Sequence, residues 1–282
     1  MPSKQRAAHT PRGYAWETFT RAKQAFNLGL YTASICIFQQ ALDQFNQLLD
    51  DEGAAMCKGA IAAALNNTGD PKLAVSYAID SLDFYQRQDL KPQLAEQRQN
   101  IAIMFTSLGL AQEAEKYYVL ASGDYESLEQ FEQAGKNKHT AANLYARRKQ
   151  PAEARQYFVE AIDLFQRAAT STAQQLQATA LMQLAYLENL VKNPDASRLL
   201  YVEALEIFEE LYCYWELATC LEGLAAVEFD VDEPEHAAVH ARRALEVFTA
   251  HGYDDDASRA AANYRATLRA CRVKQQRDEE LF

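Results

Sequence analysis

The chain has 282 residues and a formal charge of -11. It lacks the concentrated Lys and Arg that phosphate contacts need, which argues against direct nucleic-acid binding. Apolar residues make up 49%, with only 10 glycines and 7 prolines, a balance that suits an all-helical globular chain. No run approaches the roughly 18 apolar residues needed to span a bilayer, and MPSKQRAAHTPRG at the start has no apolar signal-peptide core.

In chain order, residues 1–13 read as a flexible arm. A first helix pair is predicted over Trp16 to Asn27 and Tyr31 to Leu49. Trp16, Phe19 and Phe26 share one side of its first helix, as a cap on the second helix or as a contact for a partner or a second copy of the chain. Further pairs are expected from about Glu52 to Gln88 and from Lys91 to Ser122. Ser122-Gly-Asp then reads as a stop, and the stretch after it as one long helix containing Gly135. A polar insertion begins at Ser171. After the last pair, His251-Gly-Tyr-Asp-Asp-Asp marks a helix stop and an acidic cap for a helix over Ala257 to Arg272. That helix carries Arg259, Arg265, Arg269, Arg272 and Lys274 on its exposed faces.

One stretch, Arg98 to Ala121, recurs along the chain. Ile101, Ala102, Phe105 and Leu108 fall at helical spacing, Gly109 breaks the run, and Ala114, Tyr118 and Ala121 form a second stripe. Ala41, Ser81, Ala121, Ala161, Ala204 and Ala244 are equivalent, at steps of 40, 40, 40, 43 and 40 residues. Two further series of small residues let paired helices approach. They are Ala22, Ala62, Ala102, Ala142, Ala185 and Ala225 in the first helices, and Ser34, Ala74, Ala114, Ala154, Ser197 and Ala237 in the second. Prolines 71, 151, 194 and 234 open second helices, where a missing N–H costs nothing.

With these positions aligned, the chain resembles a tetratricopeptide-repeat protein in a variant with longer units. It is similar to the repeats of soluble NSF attachment proteins, Leu-Gly-Asn-type polarity adaptors and large bacterial transcription regulators. The resemblance covers Tyr14 to Gly252 in six units. It implies an all-α, right-handed superhelical solenoid over 14–252, a capping helix over 253–276 and a tail over 277–282. The family's large aromatic early in the first helix is mostly absent, replaced by Thr18, Lys58, Arg98, Lys138, Leu181 and Leu221.

Catalytic signatures are scarce. His236 and His240 lie one helical turn apart, but two imidazoles do not make a metal site, and no phosphate loop or nucleophile elbow occurs. Cys36, Cys57, Cys213, Cys220 and Cys271 sit at apolar helix positions without a C-x-x-C pair, as expected of reduced cysteines in a cytoplasmic protein. The chain reads as a non-enzyme with no cofactor or metal and no membrane insertion.

The resemblance further implies that first helices line a concave groove. Its ligand-reading positions correspond to Asn66, Asn67, Gln99, Asn100, Lys136, His139, Asn143, Arg147, Gln183, Tyr186 and Asn189. Amides that donate and accept could pair with the backbone of an extended peptide, and the basic residues could hold a carboxylate. The family's clamp for chaperone tails is not supported, because Phe19, Lys23, Gly59 and Ala63 depart from it. The leading expectation is a scaffold or adaptor that binds a protein segment, with homo-oligomerisation through the first unit possible. The alternatives are a peptide- or metabolite-sensing module, for which the 13-residue arm leaves no room for a helix-turn-helix domain, and a vesicle-fusion adaptor, hinted at only by the DEELF tail.

Overall fold

The computed structural model describes residues 10–279. Residues 1–9 of the expected arm and 280–282 of the expected tail lie outside the described residues. Thirteen α-helices and no strand occur among the described residues. They are α1 (Pro11–Asn27), α2 (Tyr31–Gln47), α3 (Asp51–Asn67), α4 (Pro71–Arg87), α5 (Lys91–Ser107), α6 (Ala111–Ser127) and α7 (Phe131–Arg147). There follow α8 (Pro151–Ala168), α9 (Ser171–Leu190), α10 (Pro194–Glu210), α11 (Tyr214–Asp230), α12 (Pro234–Ala250) and α13 (Asp254–Glu279). The fold is an all-α solenoid of consecutive helix pairs.

Its local rule is simpler than the 40-residue unit. From α1 to α7 every helix has 17 residues and every turn three. Each helix ends on a left-handed residue, Gly29, Leu49, Gly69, Asp89, Gly109, Glu129 and Lys149 in order, so the backbone period is 20 residues. The next residue donates its N–H to the carbonyl five back, as Leu30 does to Ala25, Asp50 to Phe45 and Gln130 to Tyr125. These bonds satisfy carbonyls that the helix end leaves without partners.

This rule corrects the long helix expected after Ser122. Helix α6 runs through Gly123 to Ser127, and the break falls at Leu128–Gln130, where Glu129 has φ of 56°. Ser122 is no stop: it is buried, and its hydroxyl donates to the Ala134 carbonyl. The first helix begins at Pro11, inside the stretch read as an arm, with Thr10 accepting from the Gly13 N–H as its cap. The extra three residues after Ala161 lengthen helices: α8 has 18 residues and α9 has 20, around the shortened turn Ala169-Thr170. The aspartates at 254–256 occupy the first turn of α13, where their charge suits the helix N-terminus.

All three series of small residues are buried, none more than 6% exposed. Two hydroxyls in them clasp neighbouring helices, Ser81 to the Ala55 carbonyl and Ser197 to that of Ala185. The contacts fall into two compact units, residues 1–144 and 145–282. In the first, Phe38, Ile61, Leu82, Ile101 and Met104 are among the core residues. In the second, Leu181, Tyr201, Phe208, Leu221 and Val227 play that part. There Ala260 of α13 closes over Ala218 and Phe248.

The missing large aromatic has two replacements. In the first unit Lys58 pairs with Asp80 and Arg98 with Asp124, each on the following helix. In the second unit Leu181 and Leu221 fill the position and are buried.

Candidate functional site

The odd-numbered helices α1, α3 and α5 of the first unit enclose a slot of about 300 Å³. Phe19 and Phe26 of α1 and Met56, Ala60 and Ala63 of α3 give it an apolar lining, joined by Phe38 and Tyr85 from α2 and α4. Lys23 and Asn27 of α1 and Gln93, Glu96, Gln97 and Asn100 of α5 supply polar groups. Gly59 keeps the slot open. A Cβ there would stand 2.9 Å from Gln97 Oε1 and 3.2 Å from Ser81 Oγ. Gln97, only 4% exposed, is held by donating Nε2 to the Ala78 carbonyl. Burial raises the Tyr85 pKa, opposed by the Ser81 hydrogen bond, so Tyr85 meets the slot as a neutral phenol.

Of the residues expected to read a ligand, Asn100 lines this slot. Asn66 is half-buried, with an Oδ1 that has no hydrogen-bond partner, and Asn67 donates to the Ala63 carbonyl of its own helix. Gln99 accepts from Asn137 Nδ2 at 3.3 Å, tying α5 to α7. Lys136 is paired at 2.6 Å with Glu132, one turn back on α7, so its charge is already answered. Asn143 donates to the His139 carbonyl and stands 3.4 Å from the imidazole Nε2 of His139. In the second unit Arg147 and Tyr186 are exposed, Gln183 is half-buried, and Asn189 donates to Asp230 across α9 and α11.

Sequence reasoning passed over Lys23, Gln93, Glu96 and Gln97. The signal was Gly59, a residue without a side chain inside a helix, which marks a close approach. The aromatic residues of α1 pack on their own second helix. Trp16 meets Phe45 edge-on at 5.0 Å, Phe19 meets Phe38 at 5.3 Å, and Phe26 lies 5.2 Å from Tyr31.

The family described as Tetratricopeptide repeat matches residues 138–169. Among solved structures, the C-terminal part of a TPR repeat-containing protein from Cytophaga hutchinsonii is 14% identical, with a TM-score of 0.65 over 89% of this chain and 93% of its own. The apo form of RapI is 12% identical, with a TM-score of 0.63 over 93% of this chain and 99% of its own. The chain has the fold of a tetratricopeptide-repeat solenoid. A Rap protein complexed with Competence and Sporulation Factor is also similar, 14% identical with a TM-score of 0.51 over 90% of this chain and 75% of its own. No curated protein matches the sequence.

The solenoid has a second cavity, of about 270 Å³, in its second unit between α11, α12 and α13. Ala225, Ala226 and Phe229 face Ala241, Ala260 and Ala266 across it. Its carboxylates are occupied: Glu222 accepts from Arg259 and Asn263, and Asp230 from Asn189. Burial pushes the Cys57 and Cys220 thiols up to about 12, so neither presents a thiolate at neutral pH. Among the described residues, no group of three His, Cys, Asp or Glu side chains is placed to hold a metal, and no helix is long and apolar enough to cross a membrane.

Proposed function

We propose that this tetratricopeptide solenoid is a non-catalytic cytoplasmic scaffold that holds a linear segment of a partner protein on its odd-helix face, centred on the slot between α1, α3 and α5. One observation carries the reading: an apolar floor of Phe19, Phe26 and Met56 is bordered by amides of Asn27, Gln93 and Asn100. Such a floor takes an apolar side chain, while amides that both donate and accept suit an extended backbone. Gln99, His139 and Asn143 of the same unit are further contacts in this reading. The complex of a similar Rap protein with Competence and Sporulation Factor supports a bound partner. Five unpaired cysteines suit a reducing compartment.

The size of the slot favours one rival. About 300 Å³ is at the small end of small-ligand sites, which suits a metabolite-sensing module. A randomised peptide library panned on the purified protein separates the two. Scaffold function predicts selected peptides that bind the Phe26→Ala plus Asn100→Ala variant at least about tenfold more weakly, at unchanged helical content. Peptides that bind this variant equally well would move the interface off the slot. Failure to select any peptide, with a metabolite raising the melting temperature, would replace the scaffold by the sensor.

A further inference from the structure

We propose that the slot reads charge as well as apolar bulk, taking a protein segment in which a large apolar residue is flanked by one acidic and one basic residue a few positions apart. This inference rests on the scaffold reading and names the segment's chemistry. Lys23 and Glu96 line opposite walls of the slot, on α1 and α5. Both are exposed, and neither forms an ion pair with any described residue. Four other basic residues on odd helices of this unit are paired. Arg12 is paired with Asp50, Lys58 with Asp80, Arg98 with Asp124 and Lys136 with Glu132. In the slot a cation and a carboxylate stand unanswered beside an apolar floor.

The slot is wide enough for a chain segment. Packed helix axes lie about 8–10 Å apart, so α1 and α5, separated by α3, have axes about 16–20 Å apart. Cα atoms stand about 2.3 Å from each axis, so the Lys23 and Glu96 α-carbons lie about 11–15 Å apart across the slot. Extended chain rises about 3.3 Å per residue, so a segment with opposite charges two to four positions apart can meet both. The apolar residue between them then faces Phe19, Phe26 and Met56.

Library selection on three proteins tests this without assuming which way the segment runs. Wild type is expected to enrich peptides with one acidic and one basic residue around a large apolar one. Lys23→Glu makes both walls acidic and is expected to enrich doubly basic peptides; Glu96→Lys is expected to enrich doubly acidic ones. A synthetic peptide selected on wild type should weaken about fivefold with each reversal at low ionic strength, and by less in high salt. Both side chains are exposed, so unchanged melting curves will certify the variants as folded. The same charge composition from all three proteins, with binding still dependent on Phe26, overturns the charge reading alone. Peptides indifferent to Phe26 overturn the slot reading and this inference with it.

Discussion

Arg198 donates Nε and Nη2 to the two carboxylate oxygens of Glu228, at 2.9 and 2.6 Å, joining α10 to α11. The Glu228 side chain is 8% exposed, and the arrangement recurs one unit earlier, where Arg155 binds Glu188. By the repeat alignment, both glutamates stand where Phe105 and Tyr145 stand in preceding units. Polar pairing has thus replaced an aromatic in the core. Arg198→Leu leaves a buried carboxylate without its partner and should cost about 2–3 kcal/mol, somewhat below the usual figure because Arg198 is a third exposed. Adding Glu228→Phe should recover most of that loss, since an apolar side chain can substitute for a buried ion pair. Denaturant unfolding of wild type, single and double variants measures both. Equal losses in the two variants would deny the pairing its role.

Turn residues supply a second expectation. Leu49 and Tyr212 have φ of 52° and 56°. They are 88% and 73% exposed, so their side chains contribute little packing against the strain. Leu49→Gly and Tyr212→Gly should each stabilise the fold by up to about 1 kcal/mol, because glycine enters this region freely. Gly69→Ala is the reverse case. With φ of 87° and no atom within 4 Å of an added Cβ, its cost of about 1 kcal/mol reports backbone strain alone.

The same turns explain how much of the architecture was legible. Gly29, Gly69 and Gly109 announced the breaks inside the early pairs, and the small-residue series fixed the register of the repeat. Breaks between pairs fall at Leu49, Asp89, Glu129, Ala169 and Tyr212, of which only the aspartate is a residue type that favours turns. At these positions tertiary packing of the flanking helices overrides local preference, so the last turn of α6 and all of α7 read as one helix. The slot was less legible than the fold. Asn100 follows from the odd-helix pattern, whereas Lys23 and Glu96 come together only through the stagger of three helices, which periodicity does not encode.

Gly223 adjoins Tyr201 so closely that a Cβ would sit 2.5 Å from the phenol Cζ and Oη. Tyr201 is 4% exposed and its ring has nowhere to retreat. Alanine in a helix interior ordinarily gains about 1 kcal/mol over glycine. Here overpacking of about 1–3 kcal/mol opposes that gain, and Gly223→Ala is expected to lower stability. In a Tyr201→Leu background the ring is gone and the same substitution should become neutral or stabilising. A loss of similar size in both backgrounds would place its cause elsewhere.

Acid sensitivity follows from His240 on α12. Burial lowers its pKa below the ordinary 6.5; Glu228 of α11 opposes this, while His236 and Arg243 add to it. The unfolded chain therefore binds a proton at this residue more readily than the folded one. By linkage, stability from this group is complete above pH 6.5, falls as pH drops below that value, and is lost beneath the folded pKa. His240→Gln keeps a polar side chain of similar reach and removes the titration. Melting temperatures measured from pH 7.5 to 5 should fall less steeply for the variant than for wild type, a window in which the carboxylates are still largely ionised. Parallel curves would assign the acid sensitivity to other groups and show that His240 gains a proton in the folded chain without strain.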